Sequence, residues 1–156
     1  MTYIKAPAGL KALRAAGNDQ RIEMMAQRDP IFPADRHALY EAHGYSAAIR
    51  SGDLLFVSGQ VGSRPDGTPE PDFARQVQLA FDNLAATLAA AGCGFDDIVD
   101  VTTFHTDPEA QFETIMGIKN RIFSQPPFPN WTAIGVTWLA GFDFEIKVIA
   151  RIPESA

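Results

Sequence analysis

Three neighbouring residues, Ser58, Gly59 and Gln60, place a hydroxyl group, an unsubstituted backbone and a carboxamide directly after the apolar run at 54–57. Side chains two residues apart in a strand point to the same face, and glycine lets a ligand approach the backbone closely. This corner therefore predicts the floor of a small-molecule site that uses all three residues. A second interpretation stays open, in which the hydroxyl and the carboxamide only satisfy nearby backbone groups.

Glu145 is a carboxylate in the largely apolar stretch at 144–150. A carboxylate that is desolvated at a subunit interface has a raised pKa, and it can position or activate a water molecule. The alternative is a carboxylate that faces solvent or forms an ion pair. Glu145 is the candidate catalytic residue of this sequence.

Tyr45 and Trp131 are aromatic residues at the ends of predicted strands. Tyr45 lies at the start of the first strand, and Trp131 follows the proline-rich segment at 126–129. A phenol ring and an indole ring can form the walls of a cleft for a planar ligand. Packing in the core or at an interface is the alternative for both residues.

Composition argues against several classes of function. The 156-residue chain has a formal net charge of -6, so a nucleic-acid partner bound through a broad basic surface is not predicted. No apolar run reaches the roughly 18 residues of a membrane-spanning helix, so no membrane partner is predicted. The single cysteine, Cys93, suits a reducing compartment, and the first nine residues lack the apolar centre of a signal peptide. The sequence therefore predicts a cytoplasmic protein.

Neither a metal nor an organic cofactor is predicted. His37, His43 and His105 do not form a ligand-spaced pair, and Cys93 has no histidine or second cysteine near it in the sequence. The sequence contains no glycine-rich motif of the dinucleotide-binding or phosphate-binding type. Any chemistry would then come from side chains and water.

The spacing of apolar residues predicts an α+β fold with the element order β-β-α-β-α-β-β. Helical spacing follows Asp72 and Asp107, and aspartate is a favoured N-cap. Residues 1–35 are predicted to be an amino-terminal extension, with short amphipathic helices at 10–14 and 21–26, and residues 36–156 to be the domain. The predicted strands are 45–50, 54–61, 98–106, 131–138 and 144–151.

Two helices cover only one face of a sheet of this size. The other face carries a mixture of Thr132, Ile134, Glu145 and Ile149. This mixture is too apolar for water and too polar for the core of a monomer. It predicts self-association through the open face of the sheet, which gives a homo-oligomer.

Several motifs are spread over about residues 44–152. They are Gly44-Tyr45-Ser46, Ser51-Gly52-Asp53, Ser58-Gly59-Gln60-Val61-Gly62, Gln76, Asn83-Leu84, Ala91-Gly92, Asp97-Ile98-Val99, Phe104 with Asp107, Phe128-Pro129 and Glu145-Ile146-Lys147-Val148-Ile149-Ala150. Together they resemble the RidA family, also called the YjgF-like or L-PSP family, and within it the YjgH-like branch.

The resemblance implies a chorismate-mutase-like two-layer sandwich, with one mixed sheet and two helices on one face. It implies a homotrimer in which the sheets form an inner barrel and small-molecule clefts lie between subunits. It also implies hydrolysis of reactive imines or enamines, such as 2-aminoacrylate, to 2-keto acids and ammonia. In that reaction an arginine holds the substrate carboxylate, and a glutamate, here Glu145, positions the water.

The sequence departs from the family pattern where the arginine is expected. The family motif Phe-Pro-Ala-Arg is replaced by Phe128-Pro129-Asn130-Trp131, so that Trp131 stands at the arginine position. Met116 falls at the position of a family asparagine, and Ala133 at that of a frequent cysteine. We therefore expect a protein that is not a standard 2-aminoacrylate deaminase. It either hydrolyses another imine, enamine or related small metabolite, or it is a non-catalytic trimer that binds a small molecule or a partner protein.

Overall fold

The structure is a computed structural model that describes residues 28–35 and 37–154. One seven-stranded mixed sheet has the order β1-β2-β3-β7-β5-β6, and β4 also pairs with β7. All pairings are antiparallel except that of β5 with β6. The strands are β1 (Asp29–Ile31), β2 (Ala48–Ser51), β3 (Leu54–Val57), β4 (Gln60–Val61), β5 (Ile98–His105), β6 (Asn130–Gly135) and β7 (Phe144–Arg151), and the helices are α1 (Leu39–His43), α2 (Phe73–Ala90) and α3 (Pro108–Ile122).

The predicted α+β fold is confirmed, and β7 has the predicted bounds. The strand predicted at 45–50 begins too early. The observed strand β2 begins at Ala48, so Tyr45 lies in the segment that precedes it. The strand predicted at 131–138 ends at Gly135, where its parallel partner β5 also ends. The sheet therefore stops pairing along this edge sooner than the apolar pattern indicates.

The two long helices begin at the predicted aspartates. The Asp72 carboxylate accepts a hydrogen bond from the Arg75 backbone N–H over 2.9 Å. At the start of α3 the Asp107 carboxylate accepts from the Ala110 N–H, and Pro108 occupies the first helical position. These bonds satisfy backbone donors that have no partner inside a helix.

Helical spacing predicts that Phe112, Ile115, Met116, Ile122 and Phe123 form the inner face of α3, and the structure differs from this at positions 111, 112 and 118. Phe112 is 61% exposed rather than buried, while Gln111 and Ile118 are buried. The Gln111 carboxamide donates to the Thr106 hydroxyl over 3.0 Å, which draws this polar residue inward at the start of the helix. Because Gln111 faces inward, the next residue, Phe112, faces outward and lies at the rim of a cavity described below.

The prediction of one continuous strand at 54–61 is wrong. Phe56 pairs with Ile149 and Gln60 pairs with Ile146, so four steps along one strand match three along the other. One additional residue is thus inserted near Gly59, as in a β-bulge. Because the insertion reverses the alternation of side chains, Gln60 becomes fully buried.

The sheet has one covered and one open face. Alternate residues of β7 are buried under the helices, and the residues between them, including Glu145 and Ile149, lie on the open face. Phe56 and Ile134 occupy the same open face and are 43% and 40% exposed. The core on the covered face consists mainly of Leu55, Val57, Val77, Phe81, Leu84, Leu88, Val101, Phe144, Ile146 and Val148.

Residues 29–31, which lie in the predicted extension, add the edge strand β1 to β2. The helices predicted at 10–14 and 21–26 lie outside the described residues. The division into an extension, 1–35, and a domain, 36–156, stays a prediction. None of the helices in the described part of the chain is long and apolar enough to cross a membrane.

Gly62→Ala is expected to destabilise the fold by about 1–3 kcal/mol, a typical cost of overpacking. A methyl group at Gly62 would overlap the backbone carbonyl of Gln76, and a helix backbone cannot move aside as a side-chain end can. Gly117→Ala is the matched control, because no atom lies within 4 Å of its added Cβ and it lies inside α3. The control is expected to gain about 1 kcal/mol. Urea unfolding of both variants measures the two changes, and equal stabilities would contradict the packing argument.

Candidate functional site

Two cavities lie against the sheet, and we name each after one predicted site residue. The Glu145 cavity has a volume of about 290 Å³ and is lined by Tyr45, Gly59 and Glu145 among others. The Trp131 cavity has a volume of about 340 Å³ and lies between α3 and the sheet. Each is within, or close to, the size range of small-molecule sites.

Glu145 is held at the Glu145 cavity by the bulge across from it. Its carboxylate packs so closely on Gly59 that any side chain at position 59 would overlap it. Burial raises the pKa of Glu145, and the nearby Lys147 opposes this shift only in part. The arrangement places a carboxylate with increased proton affinity in a cavity.

Tyr45 lies beside Glu145 in the same cavity. Its ring contacts that of Tyr40 edge to face, with centroids 5.1 Å apart. Burial, with smaller effects of Tyr40 and Glu145, raises the pKa of Tyr45 to about 12. Tyr45 therefore keeps its proton at neutral pH and can donate a hydrogen bond to a ligand.

Ser58 and Gln60 do not line the Glu145 cavity. The Ser58 hydroxyl donates to the Ser46 carbonyl over 2.7 Å. The Gln60 carboxamide donates to the Ser58 carbonyl and accepts from the Tyr40 hydroxyl over 2.9 Å. Both side chains thus hold the bulge in shape, and Gly59 is the member of this corner that faces the cavity.

The Trp131 cavity brings together three residues that the family comparison of the sequence singled out. Its lining includes Met116, Trp131 and Ala133, which stand at the positions of a family asparagine, arginine and cysteine. The Trp131 ring contacts that of Phe123 edge to face, with centroids 5.5 Å apart. Carbon atoms dominate the surface where the family pattern has polar side chains.

A short chain of polar groups forms the floor of the Trp131 cavity. The Trp131 indole N–H donates to the Thr103 hydroxyl over 3.2 Å. The same hydroxyl lies 2.8 Å from Nε2 of His105, whose pKa is lowered by burial. Nδ1 of His105 is buried and has no hydrogen-bond partner within the described residues.

Glu145 and Trp131 lie on opposite faces of one sheet. Trp131 is in register with Val101 and Val148, whose side chains are buried under the helices. Glu145 is in register with Phe104, on the open face. One small ligand within a single chain cannot contact both residues, because the sheet separates them.

Two residues were not predicted from the sequence, one that lines a cavity, Lys119, and one that supports the bulge, Tyr40. Lys119 lines the Trp131 cavity, and its ammonium group lies 5.0 Å from the centroid of the Trp131 ring. Its spacing from Met116, three residues, places both on one side of α3 and could have identified it. Tyr40 carried no such signal, because its bond to Gln60 depends on the fold. Among the described residues, no group of three or more His, Cys, Asp or Glu side chains could hold a metal ion.

The mixed sheet with its three helices matches the RidA/YjgF class of fold. The profile of the family described as Endoribonuclease L-PSP matches residues 35–152, and the chain belongs to this family. The resemblance predicted from sequence motifs is thereby confirmed.

The chain is 80% identical over 130 residues to the RutC family protein YjgH of Escherichia coli strain K12, covering 83% of this chain and 99% of that one. A solved structure of YjgH superposes with a TM-score of 0.81 at 79% identity, over 83% of this chain and all of that chain. The 2-iminobutanoate/2-iminopropanoate deaminase of Dermatophagoides farinae is 31% identical over 97 residues, 61% of this chain and 74% of that protein. RidA of an Antarctic Psychrobacter superposes with a TM-score of 0.72 at 28% identity, over 80% of this chain and all of that chain.

Proposed function

We propose that this protein hydrolyses a small reactive imine, enamine or related metabolite in clefts between the subunits of a cytoplasmic homotrimer. The observation that carries the proposal is Glu145, a half-buried carboxylate of raised pKa held between Gly59 and Tyr45 in a cavity. Deaminases of imino acids are among the relatives. The proposal requires neither a metal nor an organic cofactor.

Two features support a trimer: the apolar open face of the sheet and the separation of the Glu145 and Trp131 cavities. Phe56, Ile134 and Ile149 leave apolar surface on the open face, which a second copy of the chain would cover. A cyclic assembly pairs one surface of each subunit with a different surface of the next. This arrangement would let the Glu145 cavity of one subunit meet the Trp131 cavity of its neighbour.

The chemistry follows from the position of the carboxylate. An enamine first takes a proton at carbon to become an iminium ion. The Glu145 carboxylate then accepts a proton from a water molecule as the water oxygen bonds to the iminium carbon, and the electron pair of the carbon–nitrogen π bond moves to nitrogen, which becomes an amine. Glu145 next gives this proton to the nitrogen, the hydroxyl group loses its proton to water as the carbonyl forms, and the carbon–nitrogen bond breaks to release ammonia. Gly59 and Tyr45 would shape this half of the cleft, Trp131 would wall the other half, and Ser58 and Gln60 would support the bulge.

The substrate would differ from that of a standard 2-aminoacrylate deaminase. Trp131 carries no charge, so it cannot form the bidentate contact of an arginine with a carboxylate. The family description also names an endoribonuclease. The net charge of -6 and the apolar Trp131 cavity favour a small metabolite over RNA.

The test is ammonia release from imines made in situ from a panel of amino acids by an amino-acid oxidase. The full chain is expected to accelerate ammonia release from at least one imine, and sedimentation equilibrium is expected to give the mass of three chains. A trimer that accelerates none of the panel would contradict the hydrolase and favour the alternative, a non-catalytic trimer that binds a small molecule or a partner protein. A monomer would contradict the shared cleft.

A further inference from the structure

We infer that the Trp131 cavity binds the apolar, preferably aromatic, group of a carboxylate ligand, and that the Lys119 ammonium group binds its carboxylate. The inference names the substrate class of the cleft and rests on the proposed function for the reaction that follows. The ligand class itself follows from the apolar lining of the cavity and the positive charge of Lys119 beside it.

The walls of the cavity are suited to a flat apolar group. Phe112, Ile115, Met116 and Ala133 contribute carbon surface, and the Trp131 ring adds a flat wall. Phe112 is 61% exposed although it borders the cavity, so a ligand ring would remove apolar surface from water. A volume of about 340 Å³ exceeds the needs of a methyl or ethyl side chain.

Lys119 supplies the charge that Trp131 lacks. Its ammonium group lies 5.0 Å from the Trp131 ring centroid and 5.9 Å from that of Phe128, within the usual range of about 6 Å for a cation over a ring. Lys119 forms no ion pair with any described residue. The two rings therefore position the ammonium group at the cavity without neutralising it, and its N–H donors stay available to a carboxylate.

The structure also explains why tryptophan is compatible with the arginine position. The indole N–H is bonded to Thr103, so the ring is fixed with one surface toward Lys119. Lys119 on the helix would then supply the positive charge, and Trp131 on the strand the flat wall, at the place where the family pattern has one arginine. The pocket gains apolar surface, which favours a larger side chain than that of 2-aminoacrylate.

The test uses three probes that do not react: phenylacetate, its neutral isostere phenylacetamide, and acetate. Isothermal titration calorimetry of the full chain is expected to show that phenylacetate binds roughly tenfold tighter than either of the others, which corresponds to about 1.4 kcal/mol. Lys119→Gln is expected to remove most of the preference over phenylacetamide, and Lys119→Arg to retain it. Arg121→Gln, two residues away on the same helix, is the matched control and is expected to change nothing.

Equal affinity for phenylacetate and phenylacetamide, or a preference that survives Lys119→Gln, would overturn the assignment of Lys119. Equal affinity for acetate and phenylacetate would overturn the assignment of the apolar group. Failure of the proposed function is distinguishable, because it appears as absent ammonia release while the binding pattern persists. Conversely, imine turnover without a preference for phenylacetate over phenylacetamide would refute this inference and leave the proposed hydrolysis intact.

Discussion

Glu145→Gln is expected to lower imine turnover by roughly 10²–10⁴-fold, the usual contribution of a positioned general base. Glutamine keeps the size and the hydrogen-bonding oxygen of the side chain, but it cannot accept the proton of the attacking water. The Glu145 side chain packs directly on Gly59, and an amide of the same size can occupy the same place. The measurement is the initial rate of ammonia release from the best imine of the panel.

The same substitution is expected to increase the stability of the fold relative to wild type as pH rises, although it lowers turnover. Burial raises the pKa of Glu145 in the folded protein, so the folded state binds more protons than the unfolded state between the two pKa values. Stability of the wild-type protein therefore falls as pH rises through this interval, which begins near the ordinary glutamate pKa. Glu145→Gln removes this decline, so its stability relative to wild type should increase from pH 4 to pH 8.

The matched control is Glu113→Gln, which removes the same charge from an exposed position on α3. It is expected to leave turnover unchanged and to show no such gain in stability. Urea unfolding at both pH values, at one protein concentration, measures the second effect. Full activity of Glu145→Gln would refute a catalytic carboxylate, whereas a lost trimer mass would show that the residue acts in assembly.

Local signals were sufficient to predict most of the elements. Asp72 and Asp107 cap their helices because a helix start depends on the residues next to it. The bounds of β7 followed from strict alternation along one strand. The bulge near Gly59 could not be predicted in this way, since it is a property of the register between β4 and β7.

The site was predictable only in its parts. Residue types and motifs indicated Glu145, Tyr45, Gly59 and Trp131, but the two faces on which they lie emerge only from strand pairing. The bond from Trp131 to Thr103 joins positions 28 residues apart on neighbouring strands. Lys119 is different, because its helical spacing from Met116 is visible in the sequence, although none of the family motifs includes it.

The shared cleft leads to a result that a single-chain site cannot give. Glu145→Gln damages one half of the cleft, and Ala133→Trp places an indole ring in the other half, the Trp131 cavity. Each variant alone is expected to lack turnover while keeping the trimer mass. Ala133 points to the covered face of the sheet, so its substitution should not disturb contacts through the open face.

Co-expression of the two variants at equal levels is expected to restore about a quarter of the wild-type turnover per cleft in the unfractionated mixture. Random assembly of a cyclic trimer places an intact Glu145 cavity beside an intact Trp131 cavity at that frequency. Mixing the two purified trimers without exchange of subunits is the control and should restore nothing. Differently tagged subunits, purified through both tags, make the mixed trimers available for the ammonia assay, and because each mixed trimer has one intact cleft of three, their turnover should be about a third of the wild-type value. If those trimers stay inactive while each tagged wild-type trimer is active, both halves of the site must come from one chain, and the opposite placement of Glu145 and Trp131 on the sheet would exclude one of them from the reaction.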